Sequence, residues 1–576
     1  MKSFSYLELQ KTSMKKYLDY FILIIYVSLL CFISYYHEPW HDEGQAWLIA
    51  RDDSIWHLIT YTAHLEGHPP LWHLILMPWA KLGVAFPLGL KLVNIVCAGG
   101  AMWLLIYKSP LPWFLRYILP FSYYCFYQYG ILNRSYSLLM FGLMLAAYYY
   151  PLRQNKPYHL IVSLAITSGA QAYGMMVAIG IAAAWLWEVL HSLGKRTFSW
   201  TALVNVWKVN RQIRALVCLF LIVFLLGLSM LPRHDTYFVG GDIPEHFGSS
   251  FLYSLIITPQ QMLFSHDFKD NIMRQAIPFF TENVQTYWQM HHNFGFYAVI
   301  FLLGYILSYL YGFFIQLFML YLAYKSRNLL LYLLPVLAYS TLASLVYWGF
   351  YHEGVLYCFF IFYIWIFFAN PEKVYAIINE FKHKFTNVWE FRLIKLIMIG
   401  ILAYIFYVNI SWSFVASYND YRLTYDASGE IASFMKENNL QTTNFWVSAS
   451  TNEDNKFISS SPYNINAYFL KNVIANLDDC QTQVAYHEYK KFRTDEIIPI
   501  YQQLGYPDFL LTPAESKLKL LDYVFVKRPS YVLIKSFTGH KIWKKSYTNV
   551  NIYLYMRADL TSIYPQFNVL KISEKE

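Results

Sequence analysis

The chain has 576 residues, of which 57% are hydrophobic, 20% aromatic and only 14% charged, with a mean hydropathy of +0.30. Soluble globular proteins carry about 25% charged residues, so this balance excludes a single soluble domain and points to repeated burial in lipid. The formal net charge of +9 does not call for nucleic acid, because much of the excess Lys and Arg sits in short loops between apolar runs, where it reports topology.

The first apolar run, 17–36, is longer than a signal-peptide core, and "YYHEPWHDE" follows it instead of a small-residue cleavage site. It reads as a retained membrane anchor. Further apolar runs long enough to span lie near 91–107, 112–130, 135–150, 158–172, 174–192, 214–231, 295–324, 329–347, 355–369 and 394–411. The expected fold is therefore a polytopic α-helical membrane protein with about 11 transmembrane helices. Its transmembrane domain occupies residues 1–411, with long loops at 37–90 and 232–293.

With the N-terminus in the cytoplasm, most loop Lys and Arg fall on the cytoplasmic side, as the positive-inside rule requires. That topology places both long loops, and everything after residue 411, outside an inner or plasma membrane. Twelve of the 17 histidines then lie in external segments. Five cysteines (31, 97, 125, 218 and 358) fall in or near apolar runs and only Cys480 in the polar part, so no disulfide framework can be built.

Within the first loop, "EGQAWLIARDDSIWHLITY" has roughly helical apolar spacing and reads as an amphipathic helix on the membrane surface. The acids of 38–43 would sit near the outer surface, at its start. "PPLWHLILMPWAKLGVAF" (69–86) is short and interrupted by Pro78 and Lys81, so it reads as an interfacial helix rather than a span, with Trp72 and Trp79 at headgroup depth. "RHDTYFVGGDIPEHFGSSFLYSLIITPQQMLFSHDF" (233–268) reads as an interfacial loop, with Gly240 and Gly241 as hinge candidates.

"Trp40-His41-Asp42-Glu43", followed by "Glu66-Gly67-His68-Pro69-Pro70-Leu71", resembles the first-loop signature of the membrane-embedded GT-C glycosyltransferases. The pattern is most similar to protein O-mannosyltransferases and to lipid A aminoarabinose transferases (glycosyltransferase family 39-like). "Asn133-Arg134-Ser135-Tyr136" and "Tyr351-His352-Glu353-Gly354" extend the resemblance to residues 17–370. Two departures stand out: Lys91 replaces a frequent Arg, and His352-Glu353 is less basic than its counterparts. The resemblance implies inverting transfer of a sugar from a polyprenyl-phosphate donor to a lipid, glycan or protein acceptor, with Asp42 as general base. Glu43 would orient the acceptor or a bound ion. The residues alone offer a second role for both acids, as N-terminal caps of the helix that follows.

A departing lipid phosphate needs cationic or hydrogen-bonding groups at the bilayer surface. Arg134, Lys91 and Arg233 lie at span boundaries and are the leading candidates, followed by His352 and Tyr351. His41, Glu66 and His68 are candidates for positioning the acceptor or the loop. No motif requires a cofactor. A divalent metal stays open, with His64 and His68 as candidate ligands at i,i+4 spacing.

Residues 412–576 read as a soluble mixed α/β domain, with a helix at "SGEIASFMKENN" and strands at "TNFWVSAS", "DYVFVKR", "SYVLIKSF" and "NIYLYMR". It carries no catalytic motif and reads as acceptor-binding or structural. Two other functions fit a polytopic chain. A surface-polysaccharide polymerase or ligase predicts arginine-rich external loops. A lipid-linked sugar transporter or flippase predicts mid-span charges or internal repeats.

Overall fold

In the computed structural model, the described residues are 2–192, 210–233, 236, 247–264, 294–346, 348–383, 388–451, 457–460, 464–477, 492–513 and 518–567. The hinge candidates Gly240 and Gly241, with most of the 232–293 loop, lie outside them.

Helix α1 (Lys2–Tyr36) contains the expected anchor and stops three residues before Pro39, which has no N–H and disfavours helix in the residue before it. Helix α2 (His41–Asp52) begins at once, and α3 (Leu71–Lys81) follows. Eleven residues rise only about 16 Å, so α3 is too short to cross a bilayer, as expected. Next come α4 (Leu88–Lys108), α5 (Tyr136–Tyr149), α6 (Pro157–Ala170), α7 (Ala172–Ser192) and α8 (Arg211–Ser229). The bundle continues with α9 (Phe294–Lys325), α10 (Leu329–Leu345), α11 (Glu353–Phe368), α12 (Pro371–His383) and α13 (Val388–Arg422).

Among the described residues, five helices are long and apolar enough to cross a membrane: Lys15–Tyr36, Leu88–Lys108, Ala172–Ser192, Arg211–Ser229 and Trp389–Arg422. A sixth arises if α11 and α12, bent by 89° at residues 369–370, count as one span. The expected span at 112–130 is instead broken into Trp113–Ile118, Leu119–Phe121 and Tyr124–Ile131. Pro120 lies at the break, where it cannot supply a helical N–H. Helices α5 and α6 are only 14 residues each and lie largely buried inside the bundle. Packing is close enough that a Cβ on Gly180 of α7 would lie 2.4 Å from the Pro335 backbone of α10.

Helix α13 runs on to Arg422 and leads into α14 (Ser428–Glu437). Four strands form one sheet in the order β1 (Phe445–Val447), β5 (Phe509–Thr512), β7 (Ser546–Arg557), β6 (Tyr531–Trp543). The β1–β5 pair is parallel and the other two pairs are antiparallel. A smaller sheet joins β2 (Ala449–Thr451), β3 (Phe457–Ser460) and β4 (Phe492–Arg493). The strand expected at "DYVFVKR" is not formed, because Lys519–Val524 is helical and buries Leu520, Leu521 and Val524 against Trp446. The main domain core packs Ile431, Met435, Phe445, Phe509, Phe537 and Leu554. Ile542, near the tip of the β6–β7 hairpin, joins the core of the helical bundle instead. The hairpin therefore enters the bundle.

Candidate functional site

The stretch expected at an exposed surface is enclosed. Helix α2 buries Glu43 through Ala50, so it is not an amphipathic helix with one open face. Helix α3 packs along it, and the C-terminal domain covers it. A Cβ on Gly44 would fall 2.2 Å from Asn464 Oδ1. The Asn464 amide donates to Pro39 O at 2.8 Å, and the Tyr468 hydroxyl donates to Glu38 Oε2 at 2.7 Å. Arg51 donates to the Asn466 and Phe469 carbonyls. Trp72 is likewise buried rather than placed at headgroup depth, whereas Trp79 is exposed.

Glu43 has no oxygen to spare. Oε2 accepts from the Trp40 backbone N–H at 2.9 Å, which caps α2, and lies 3.1 Å from His37 Nε2. Oε1 accepts from both the backbone and side-chain N–H groups of Asn133. His37 spans Glu43 and, through Nδ1, Asp420 Oδ2 at 2.8 Å. Burial alone would lower the His37 pKa, but Asp420 and Glu43 outweigh it and hold it up at about 10. The imidazolium thus ties α1, α2 and α13 together, and the expected role of Glu43 in holding acceptor or ion gives way to a positioning one.

Asp42 points into a different environment. Its Oδ2 lies 2.8 Å from Arg134 NH2 and its Oδ1 2.9 Å from His41 Nε2. Burial would raise its pKa, yet Arg134, His41 and Lys541 hold the carboxyl well below the usual carboxylate range. Arg134 follows the turn 132–135, whose Asn133 is locked on Glu43, so the two neighbouring acids fix this arginine in place. Its guanidinium faces the rings of Trp40, Tyr136 and Tyr351 at 5.5, 5.2 and 5.1 Å. Such a box holds a planar cation flat while its edge stays available to oxygens.

Three buried histidines flank this cation, and all are neutral. Burial and the nearby Arg134 push His68 down to about 4. Burial pushes His73 down to about 3. His352 is also driven well below its ordinary value by burial, then by His68 and Arg134. Its Nδ1 accepts the Gly349 N–H at 2.9 Å and its ring stacks on Tyr173 at 4.0 Å, so it is not a cationic phosphate ligand. The Nδ1 atoms of His68 and His73 are buried with no hydrogen-bond partner among the described residues.

The sequence candidates therefore divide. His41, Asp42, Arg134, Tyr351, His352 and His68 are brought together. Lys91 donates to Tyr35 O at 3.3 Å and acts electrostatically on Glu38. Glu66 is buried beneath α2 and accepts from Gln45. Arg233 lies 4.5 Å over the Tyr61 ring, in a segment whose Leu231 carbonyl meets His64 Nδ1 at 2.7 Å. No three His, Cys, Asp or Glu side chains among the described residues form a group able to hold a metal ion, and His64 and His68 do not supply one.

Sequence reasoning missed what the C-terminal domain contributes. Lys541 of β6 lies 4.7 Å over the Trp40 ring and acts on Asp42. Lys544 follows at the hairpin turn with φ 52°, and its side chain is fully buried. Its Nζ lies 3.3 Å from Glu353 Oε2 and 3.2 Å from Gln261 O, and its backbone N–H donates to the Tyr123 hydroxyl. A "WKKS" turn carries no signal of burial, since lysines at turns normally face water. Compared with known proteins, this α-helical chain with apolar, membrane-length helices matches no family model, no curated protein and no solved structure.

Proposed function

We propose that this protein is a membrane-embedded glycosyltransferase that moves a sugar from a polyprenyl-phosphate donor to a lipid, glycan or protein acceptor. The observation that carries this reading is the Asp42–Arg134 pair, with Arg134 held among three aromatic rings beside Tyr351. It supports the roles that the first-loop resemblance implies: an ionised carboxylate to take a proton and an adjacent cation to hold a phosphate.

In this reading the donor phosphate draws Arg134 toward itself. Asp42 then loses the partner that depresses its pKa and becomes a stronger base, as general base catalysis requires. Asp42 takes the proton of the acceptor hydroxyl as that oxygen bonds to the anomeric carbon from the face opposite the phosphate. The bond from the anomeric carbon to the phosphate oxygen breaks, its electron pair stays on the phosphate, and the configuration inverts. His68, neutral and with Nδ1 unpaired, is placed to accept or donate a hydrogen bond to the sugar or acceptor. Glu43, His37 and Asn133 position this machinery without touching substrate. The external membrane face is the side that the loop charges favour.

The test is purified protein with radiolabelled polyprenyl-phosphate sugars and mixed membrane lipid and glycan acceptors. Wild type should release polyprenyl phosphate and label an acceptor, and a folded Asp42→Asn protein should lose about 10²–10⁴-fold in rate. Full turnover by Asp42→Asn rejects Asp42 as the base.

A further inference from the structure

We infer that Lys541, delivered by the β6–β7 hairpin of the C-terminal domain, is the second cation of the phosphate site at Asp42 and Arg134. The inference rests on the glycosyl-transfer reading and names a binding residue that lies outside the helical bundle.

The charges around Asp42 do not balance. One carboxylate faces two permanent cations, Arg134 and Lys541, with His41 beside them. The neighbouring acids are already answered: Glu43 and Asp420 share the His37 imidazolium. Burial raises the Asp426 carboxyl above its ordinary range, which favours its neutral form. An excess of positive charge held in a largely enclosed space favours an anionic guest. A phosphate ester, with several acceptor oxygens, suits an arginine fork and a lysine together.

Lys541 is also held in place on both sides. Before it, the His540 backbone N–H donates to Thr424 O at 2.9 Å, and the His540 ring nitrogen lies 3.0 Å from the same oxygen. After it, Ile542 joins the bundle core and Lys544 pairs with Glu353. Arg134 and Lys541 approach the same Trp40 ring, at 5.5 and 4.7 Å, so the indole holds the two cations a fixed distance apart. A cation fixed before the ligand arrives loses little freedom on binding. The C-terminal domain is thereby part of the binding site and not a separate acceptor module.

The experiment measures binding of farnesyl phosphate to the detergent-purified full chain, with farnesol and inorganic phosphate as controls. Lys541→Met should weaken farnesyl phosphate about tenfold, the loss of one charge-assisted contact. Lys541→Arg should stay within about threefold of wild type, on the same scale, and farnesol binding should not change. Inorganic phosphate should compete with the probe in wild type and less in Lys541→Met, which assigns the effect to the headgroup whether the phosphate is lipid-linked or free. If Lys541→Met melts at a lower temperature than wild type, Lys541→Gln and a salt series on wild type replace it. Binding that weakens with salt supports the inference, and salt-independent binding overturns it. Wild-type affinity in a folded Lys541→Met protein rejects this inference alone. Failure of wild type to bind farnesyl phosphate rejects the lipid-phosphate reading as well.

Discussion

Lys544 Nζ lies 3.3 Å from Glu353 Oε2, both side chains buried where a β-hairpin enters the helical core. The pair joins residues 191 positions apart and pins the C-terminal domain to the start of α11. Tyr124 donates a further hydrogen bond to Glu353, and the Lys544 ammonium also faces the Trp412 ring at 4.4 Å. Removing one partner of a buried pair strands the other charge, at a cost of about 3–5 kcal/mol. Lys544→Met and Glu353→Gln should each lower the melting temperature in detergent. The double variant Lys544→Met with Glu353→Met should recover part of the loss. Equal losses in single and double variants would argue against a coupled pair.

Arg134 should not be replaceable by lysine. Its plane is matched to three rings while its edge reaches Asp42, and an ammonium cannot do both. In the sugar-transfer assay, Arg134→Lys should lose about tenfold and Arg134→Met about a hundredfold or more, the range for a lost charge-stabilising donor. The measurement is the transfer rate at saturating donor, with melting temperature as the folding control.

The His37 bridge sets an alkaline limit on stability. Its folded pKa, about 10, stands above its ordinary value of 6.5, so the folded chain binds the proton more tightly than the unfolded chain. The contribution is complete below about pH 6.5 and is lost as pH rises toward 10, with a slope of about 1.4 kcal/mol per pH unit. Urea or thermal unfolding from pH 7 to 10 should show this decline in wild type and a flatter profile in His37→Gln.

His73 works in the opposite sense. Its folded pKa, about 3, lies below the ordinary 6.5, so the unfolded chain takes up a proton that the folded chain refuses. Stability should fall as pH drops from about 6.5 toward 3. His73→Phe should lessen that acid loss if the cavity accepts the ring. An unchanged acid profile would assign the loss to other groups.

Gly44 tests the docking of the two parts of the chain. A side chain there would collide with Asn464, whose Oδ1 and Cγ lie 2.2 and 2.4 Å from the ideal Cβ position. Gly44→Val should loosen the C-terminal domain and speed its release by limited proteolysis. Adding Asn464→Gly should slow that release again, because the two changes share one contact.

The membrane-length helices were legible because an apolar run is a local property and its length is set by the bilayer. α14, β1, β6 and β7 followed from equally local patterns, whereas "DYVFVKR" misled because an apolar run that short suits helix and strand alike. Asp42, His41, His68 and Arg134 could be named from the sequence as candidates, yet nothing in their spacing showed that Asp42 and Arg134 would meet. His37 gave no hint of a bond to a carboxylate 383 residues away. Lys541 and Lys544 looked like ordinary lysines near a turn. A side chain's burial and charge partners depend on which distant surfaces pack around it, and that packing is decided only when the hairpin enters the bundle. The sequence by itself determined that charge would gather where α1 ends; the tertiary structure decided that this charge lies enclosed between helices and the C-terminal domain.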